Sequence, residues 1–298
     1  MNFTTEFDNL IEEAEKFEDG QKEKSRILER AIKLAQEHKD REREFDAKLD
    51  YIKSTVYASE IDKALATFPW LLNYIDEQEK NKGEDGVSFH FFYGSPKDHV
   101  LWMYKWVLSD LPYYPNISKE KIDAALADMA RRYQQEGHGD LTVKEYELIL
   151  AREMGHRAKA NEIWAYLKAN KDKSSDMSDC PTCLRHDEVE TYIFLKEYDQ
   201  AIEHARPILE GEIRCSSKPY STYGLMFPVF IHLGQFDKAR HYYQKYLEES
   251  KKPENEENPK SNLLLFYALT GQFDKGIVYL ETYLEQVLST IEQDDPFK

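Results

Sequence analysis

Leu195-Lys-Glu-Tyr-Asp-Gln-Ala201, Leu233-Gly-Gln-Phe-Asp-Lys-Ala239 and Thr270-Gly-Gln-Phe-Asp-Lys-Gly276 are three versions of one phrase, beginning 38 and 37 residues apart. A recurrence of that length is the mark of stacked supersecondary units. A weaker copy, Met154-Gly155-His-Arg-Ala-Lys-Ala160, starts 41 residues before the first, and Ala58-Ser-Glu-Ile-Asp-Lys-Ala64 is a further candidate. Physically the phrase describes the tight turn of a helical hairpin. An apolar residue ends the first helix, glycine allows a left-handed backbone, and an aromatic packs across the turn. This reading places Asp199, Asp237 and Asp274 at the N-caps of the second helices. Around the middle copy, Phe227, Phe230 and Leu233 precede the turn, and Ala239, Tyr243 and Tyr246 follow it, all at helical spacing. Two apolar faces therefore meet across each turn.

The composition agrees. With 41% hydrophobic residues the chain is too apolar for disorder, and 12 Gly and 11 Pro among 298 residues are too few for many short strands. The formal charge of -16 repels phosphate backbones and anionic headgroups, which argues against nucleic acid and membrane partners. The basic spots Arg131-Arg132 and Lys119-Glu-Lys121 are too small to reverse this. No apolar run approaches the ~18 residues of a membrane span. The opening MNFTTEFDNLIEEAEKFEDG is acidic, unlike a secretory leader, so a cytoplasmic location is expected.

An alanine after the turn and an aromatic four residues later resemble the tetratricopeptide repeat, whose period is about 34 residues. Twelve residues before that alanine the family is usually small, whereas Val189, Phe227 and Leu264 stand here, which implies more splayed helix packing. The resemblance covers roughly 142–290. Leu101-Trp-Met-Tyr-Lys-Trp-Val-Leu108, Asp128-Met-Ala-Arg-Arg-Tyr133 and Ser178-Asp-Cys-Pro-Thr-Cys183 are also similar to a bacterial subfamily of tetratricopeptide proteins, a likeness that implies a fold and no activity. The implied architecture is all-α: a right-handed α-solenoid of antiparallel helix hairpins, continuous through the chain. The expected divisions are N-terminal hairpins over 1–80, an aromatic loop over 81–96, a central helix pair over 97–141, repeats over 142–290 and a tail over 291–298. Within them, Phe7, Leu10, Ile11 and Ala14, then Ile27, Leu28, Ala31, Ile32 and Leu34, space out two helices. Ser95 with Pro96 starts a helix over 97–111, and Ser118 caps another over 118–135.

Cys180-Pro-Thr-Cys183 is the leading candidate for chemistry. Two thiolates at this spacing are half of a tetrahedral zinc set. If 185–196 and 199–212 form a hairpin, Cys215 returns toward Cys180 and Cys183, and His186 is the nearest further donor, with Asp179 and Asp187 behind it. A closed set of four would be a structural zinc site. The same residues also suit reduced cysteines packed at a helix start or a redox-sensitive pair. A thioredoxin-like enzyme is disfavoured, because its motif needs a strand-to-helix setting.

The aromatics Phe89, Phe91, Phe92 and Tyr93, followed by Trp102, Tyr104, Trp106, Tyr113 and Tyr114, suit either interhelix packing or anchoring of a peptide. Glu12, Glu13, Glu15 and Glu18 on the first helix, and Glu254, Glu256 and Glu257 in a late loop, form acidic surface. There is no nucleophile elbow, phosphate loop or zinc-protease signature, and no enzymatic activity is expected. The leading expectation is a protein- or peptide-binding scaffold whose first helices line a groove through Tyr192, Tyr223 and Tyr267, with Trp102 and Trp106 extending it. The alternative is a regulator or immunity-type protein that sequesters a cognate basic protein or senses a signalling peptide.

Overall fold

A computed structural model describes residues 2–58, 60–80, 95–114, 116–171, 173, 175–215, 219–251 and 261–292. The aromatic run at 89–93, the acidic residues at 254–257 and the tail beyond 292 lie outside the described residues. Among the described residues there are fourteen α-helices and no β-strand, and no helix is long and apolar enough to cross a membrane. The chain divides into two compact units, Met1–Met154 with Ser175–Met177, and Gly155–Ser174 with Ser178–Lys298.

The first unit holds α1 (Phe3–Ala14), α2 (Lys22–Glu37), α3 (Arg41–Tyr57), α4 (Ile61–Lys80), α5 (Pro96–Asp110), α6 (Lys119–Gln135) and α7 (Leu141–Glu153), with a short 3-10 turn at Leu111–Tyr113. Consecutive helices pack together, and α5 also touches α3 and α7. Phe7, Leu10 and Ala14 meet Ile27, Leu28, Ala31 and Ala35 in one cluster that Ala47 and Tyr51 of α3 complete. The opposite face of α3, with Phe45, Leu49 and Ile52, enters a larger core with Phe68 and Leu71 of α4, Leu101 and Met103 of α5, Met129 and Tyr133 of α6, and Tyr146 of α7. Each such side chain contributes about 1.5–3 kcal/mol on burial. Because Val143, Tyr146 and Leu150 share this core, α7 belongs to the first unit, whereas the sequence reading groups 142–153 with the repeats that follow.

The start of α5 follows the sequence reading: Ser95 and Asp98 form a reciprocal capping box, with Pro96 in the first turn. Ser118 occupies the N-cap of α6, but its side chain makes no capping bond. An ion pair between the buried Arg132 and partly exposed carboxylates links α4 and α6, where Arg132 donates to Asp76 at 2.6 and 2.8 Å and to Asp128 at 2.8 Å. The segment Ser175–Met177 inserts into this unit. Met177 is buried, its carbonyl accepts from Lys105 Nζ at 2.9 Å, and Thr142 donates to Ser175 at 3.0 Å. Lys105 is itself fully buried, with Nζ 3.2 Å from the centre of the Trp102 ring, so a cation–π contact offsets part of its desolvation.

The second unit holds α8 (Arg157–Ala169), α9 (Pro181–Leu195), α10 (Tyr198–Leu209), α11 (Tyr220–His232), α12 (Phe236–Glu249), α13 (Ser261–Leu269) and α14 (Phe273–Glu292). Within it α9–α10, α11–α12 and α13–α14 are packed hairpins, and α11 also touches α9 and α13. The recurrent phrase is the turn in each hairpin. Its second residue is left-handed every time: Lys196 at φ 64°, Gly234 at 71° and Gly271 at 69°. Two backbone bonds close each helix in the same way, as when Gly234 N–H donates to Ile231 and Gln235 N–H to Phe230. The weaker copy at Gly155 is also left-handed, with φ 71°.

The helices after these turns begin earlier than expected. Glu197 and Gln235 hold the N-cap positions, so Asp199 and Asp237 lie inside the first turn, as Asp274 does in α14. The carboxylates therefore face the positive end of the helix dipole instead of capping a specific N–H. Close helix approach also arises at an unexpected position. Phe227 is fully buried, edge-on to Tyr243, Tyr246 and Phe266, and the residue that needs to be small is Gly224. A Cβ there would sit 2.6 Å from Asn262 Nδ2 and 2.9 Å from Tyr246 Cε2.

Candidate functional site

The three cysteines converge. Cys180 precedes α9 and its sulfur accepts from Cys183 N–H at 3.4 Å, the helix-start contact that serines usually make. Pro181 fits the first turn because it has no N–H to leave unpaired. After α10 the chain reverses, with Gly211 N–H donating to Ile208 and Glu212 N–H to Pro207. Thr182 Oγ1 then donates to the Arg214 carbonyl at 3.2 Å, which fixes the returning segment beside the start of α9. The sulfurs of Cys180, Cys183 and Cys215 all lie within 4.8 Å of one another, and those of Cys183 and Cys215 are 3.8 Å apart. A tetrahedral ion with metal–sulfur bonds of about 2.3 Å has sulfur–sulfur edges of about 3.8 Å. The three cysteines are thus at metal-binding distance, with Cys180 exposed and the other two half-buried.

His186 is not part of this group. One turn further along α9, it is 5% exposed, shares a hydrogen bond with Thr222 Oγ1 through Nδ1 at 2.9 Å, and places Nε2 3.4 Å from Glu190. Proximity in sequence suggested a ligand. The helix instead turns the imidazole toward α11, and the metal set among the described residues is three sulfurs.

The expected groove residues separate in a regular way. Tyr192 and Tyr223 are only 6% and 7% exposed, so they belong to the interior and not to an open surface. Tyr192 packs against Trp164 and His204, and Tyr223 against Tyr242. Tyr267 is half-buried, its hydroxyl 3.4 Å from that of Tyr243. Trp102 and Trp106 are half-buried against the core of the first unit, with Trp106 edge-on to Tyr57.

An apolar cleft of about 290 Å³ opens across α9, α11 and α13 of the second unit. Ile193, Leu225, Pro228, Ile231, Leu265 and Leu269 contribute to it, from α9, α11 and α13, with His232 and Asn262 as polar neighbours. Tyr192 and Phe230 stand three residues before the apolar residue that opens the turn phrase, and they face the hairpin partner. Ile193 and Ile231 stand two before it, and they line the cleft. One residue rotates a helical side chain by about 100°, which separates the two rows. The register marks the cleft row at these two turns, next to a row of larger aromatics, whereas α13 lines the cleft through Leu265 and Leu269. No protein-family model matches the chain, and no curated protein matches it.

Proposed function

We propose that this chain is a cytosolic, non-enzymatic scaffold of the tetratricopeptide type, and that the cleft across α9, α11 and α13 receives an amphipathic segment of a partner protein. The cleft carries the reading. Its wall is apolar, built from successive hairpins, and two of its residues, Leu265 and Leu269, are 44% and 50% exposed. Packing mainly between helices one or two apart in sequence supports a solenoid. The formal charge of -16 favours a segment whose apolar anchors are flanked by Lys or Arg. Cys180, Cys183 and Cys215 serve this scaffold by holding a structural zinc ion that joins the start of α9 to the segment after α10.

A display library of random peptides, selected on the purified chain, tests the reading. The expected ligands space Leu, Ile or Phe at helical intervals among basic residues, and they bind more weakly as salt rises. Leu225→Glu and Leu265→Glu, checked by circular dichroism for an intact fold, should each weaken them at least tenfold. Ligands indifferent to both substitutions, or no enrichment at all, would count against the cleft as the binding site.

A further inference from the structure

We infer that the three-cysteine centre keeps its fourth coordination position open to solvent, where a small external donor, a thiol or an imidazole, binds the metal directly. The inference rests on the zinc reading above and extends it, since a structural zinc is ordinarily closed by four protein ligands. Cys180, Cys183 and Cys215 supply three corners at the right separation, and among the described residues no fourth His, Cys, Asp or Glu joins the group. The nearest histidine in sequence is committed elsewhere. To bind, His186 would have to leave a 5%-exposed position and give up its contacts with Thr222 and Glu190.

The three corners come from two short segments, the first turn of α9 and the residues after Gly211, and Cys180 is exposed. Water therefore reaches the centre at Cys180. Three thiolates on a divalent ion leave one net negative charge and a position that solvent fills at rest. An arriving thiol gives its proton to solvent as it binds, and one water leaves. An arriving neutral imidazole displaces the water without proton transfer. Neither exchange needs an oxidant, and the ion keeps its charge throughout. The chemistry is that of a ligand-exchange site, with three protein donors and one external donor.

Cobalt(II) tests this with the full chain, because its thiolate charge-transfer bands report the sulfurs and its d–d bands report the fourth ligand. The metal-free protein is loaded with one equivalent of cobalt and titrated separately with imidazole and with 2-mercaptoethanol. The expected result is thiolate charge transfer that Cys183→Ser lowers by a third or more, with d–d bands that move saturably on addition of either donor while charge transfer persists. Asp179→Asn and His186→Gln should show the starting spectrum of the parent. Bands unmoved by both donors overturn the open position and leave the metal centre standing, as does a starting spectrum altered by either of these variants. Absence of thiolate charge transfer in the parent removes the metal reading and this inference together.

Discussion

Burial on α3 pushes the Asp46 carboxyl up to about 6, and the negative charges of Glu42 and Asp50 add to the shift while Arg43 opposes it. Asp110 at the end of α5 is raised to about 6 by burial alone. An unfolded aspartate titrates near about 3.9. Between about pH 4 and pH 6 the native state thus binds more protons than the unfolded state at these two positions, and their contribution to stability falls as pH rises through that window. Asp46→Asn removes the ionising group without changing its size. In urea unfolding, the variant should match the parent near pH 4 and exceed it by about 1 kcal/mol near pH 8, less than full linkage implies because water still reaches the site. An equal gain at both pH values would refute the assignment. Asp76 moves in the opposite direction, held below the usual carboxylate range by the Arg132 guanidinium beside it. Nothing in the local sequence distinguishes these aspartates, since the difference lies in which side chains the helices bring near them.

Helix ends follow local rules, and they were the most legible part of the chain. The phrase that opens with Leu195, Leu233 and Thr270 foretold three hairpin turns, and the left-handed residue stands at the same place in each. Lys196 departs from the pattern, because a side chain occupies a conformation that costs an L-residue roughly 1–2 kcal/mol. Lys196→Gly should therefore stabilise the second unit by about 1 kcal/mol, and Gly234→Ala should destabilise it by a similar amount, read as shifts in the urea midpoint. If Lys196→Gly were neutral or destabilising, the lysine side chain would have to contribute more than its strain costs. The N-caps were misplaced by two residues for a physical reason: an aspartate helps a helix start either as a cap or as a charge inside the first turn, and the sequence does not distinguish the two. Tyr192 and Tyr223, expected on an open face, are buried for a related reason. Large aromatics such as Tyr192 attract attention as binding residues, yet their area makes them the better filling for the space between hairpin partners.

For the molecule as a whole, the metal reading predicts a local effect. Both cysteine-bearing segments belong to the second unit. Stripping metal from the zinc-loaded protein with a chelator should reduce amide protection by about tenfold or more at the start of α9 and around 210–215, and leave α1–α7 unchanged by hydrogen exchange with mass spectrometry. Cys183→Ser should reproduce that pattern without chelator. Equal loss of protection in both units, or none in either, would contradict a zinc staple. The chain's path between the units was not legible in sequence. Ser175–Met177 reads as a polar link, yet Met177 is buried in the first unit and its carbonyl engages the buried Lys105, 72 residues earlier in the chain.

Helical class, hairpin turns and the start of α5 were determined by the sequence itself, because periodicity, left-handed residues and caps act over a few neighbouring residues. The meeting of Cys215 with Cys180 and Cys183 was anticipated from hairpin geometry, which carries local information a little further along the chain. The exclusion of His186, the burial of Tyr192 and Tyr223, and the opening of the cleft at Ile193 and Ile231 were decided only in the tertiary structure. Each depends on which face of a helix meets another helix, and a rotation of about 100° per residue allows packing between distant segments to reassign a side chain that local sequence leaves free.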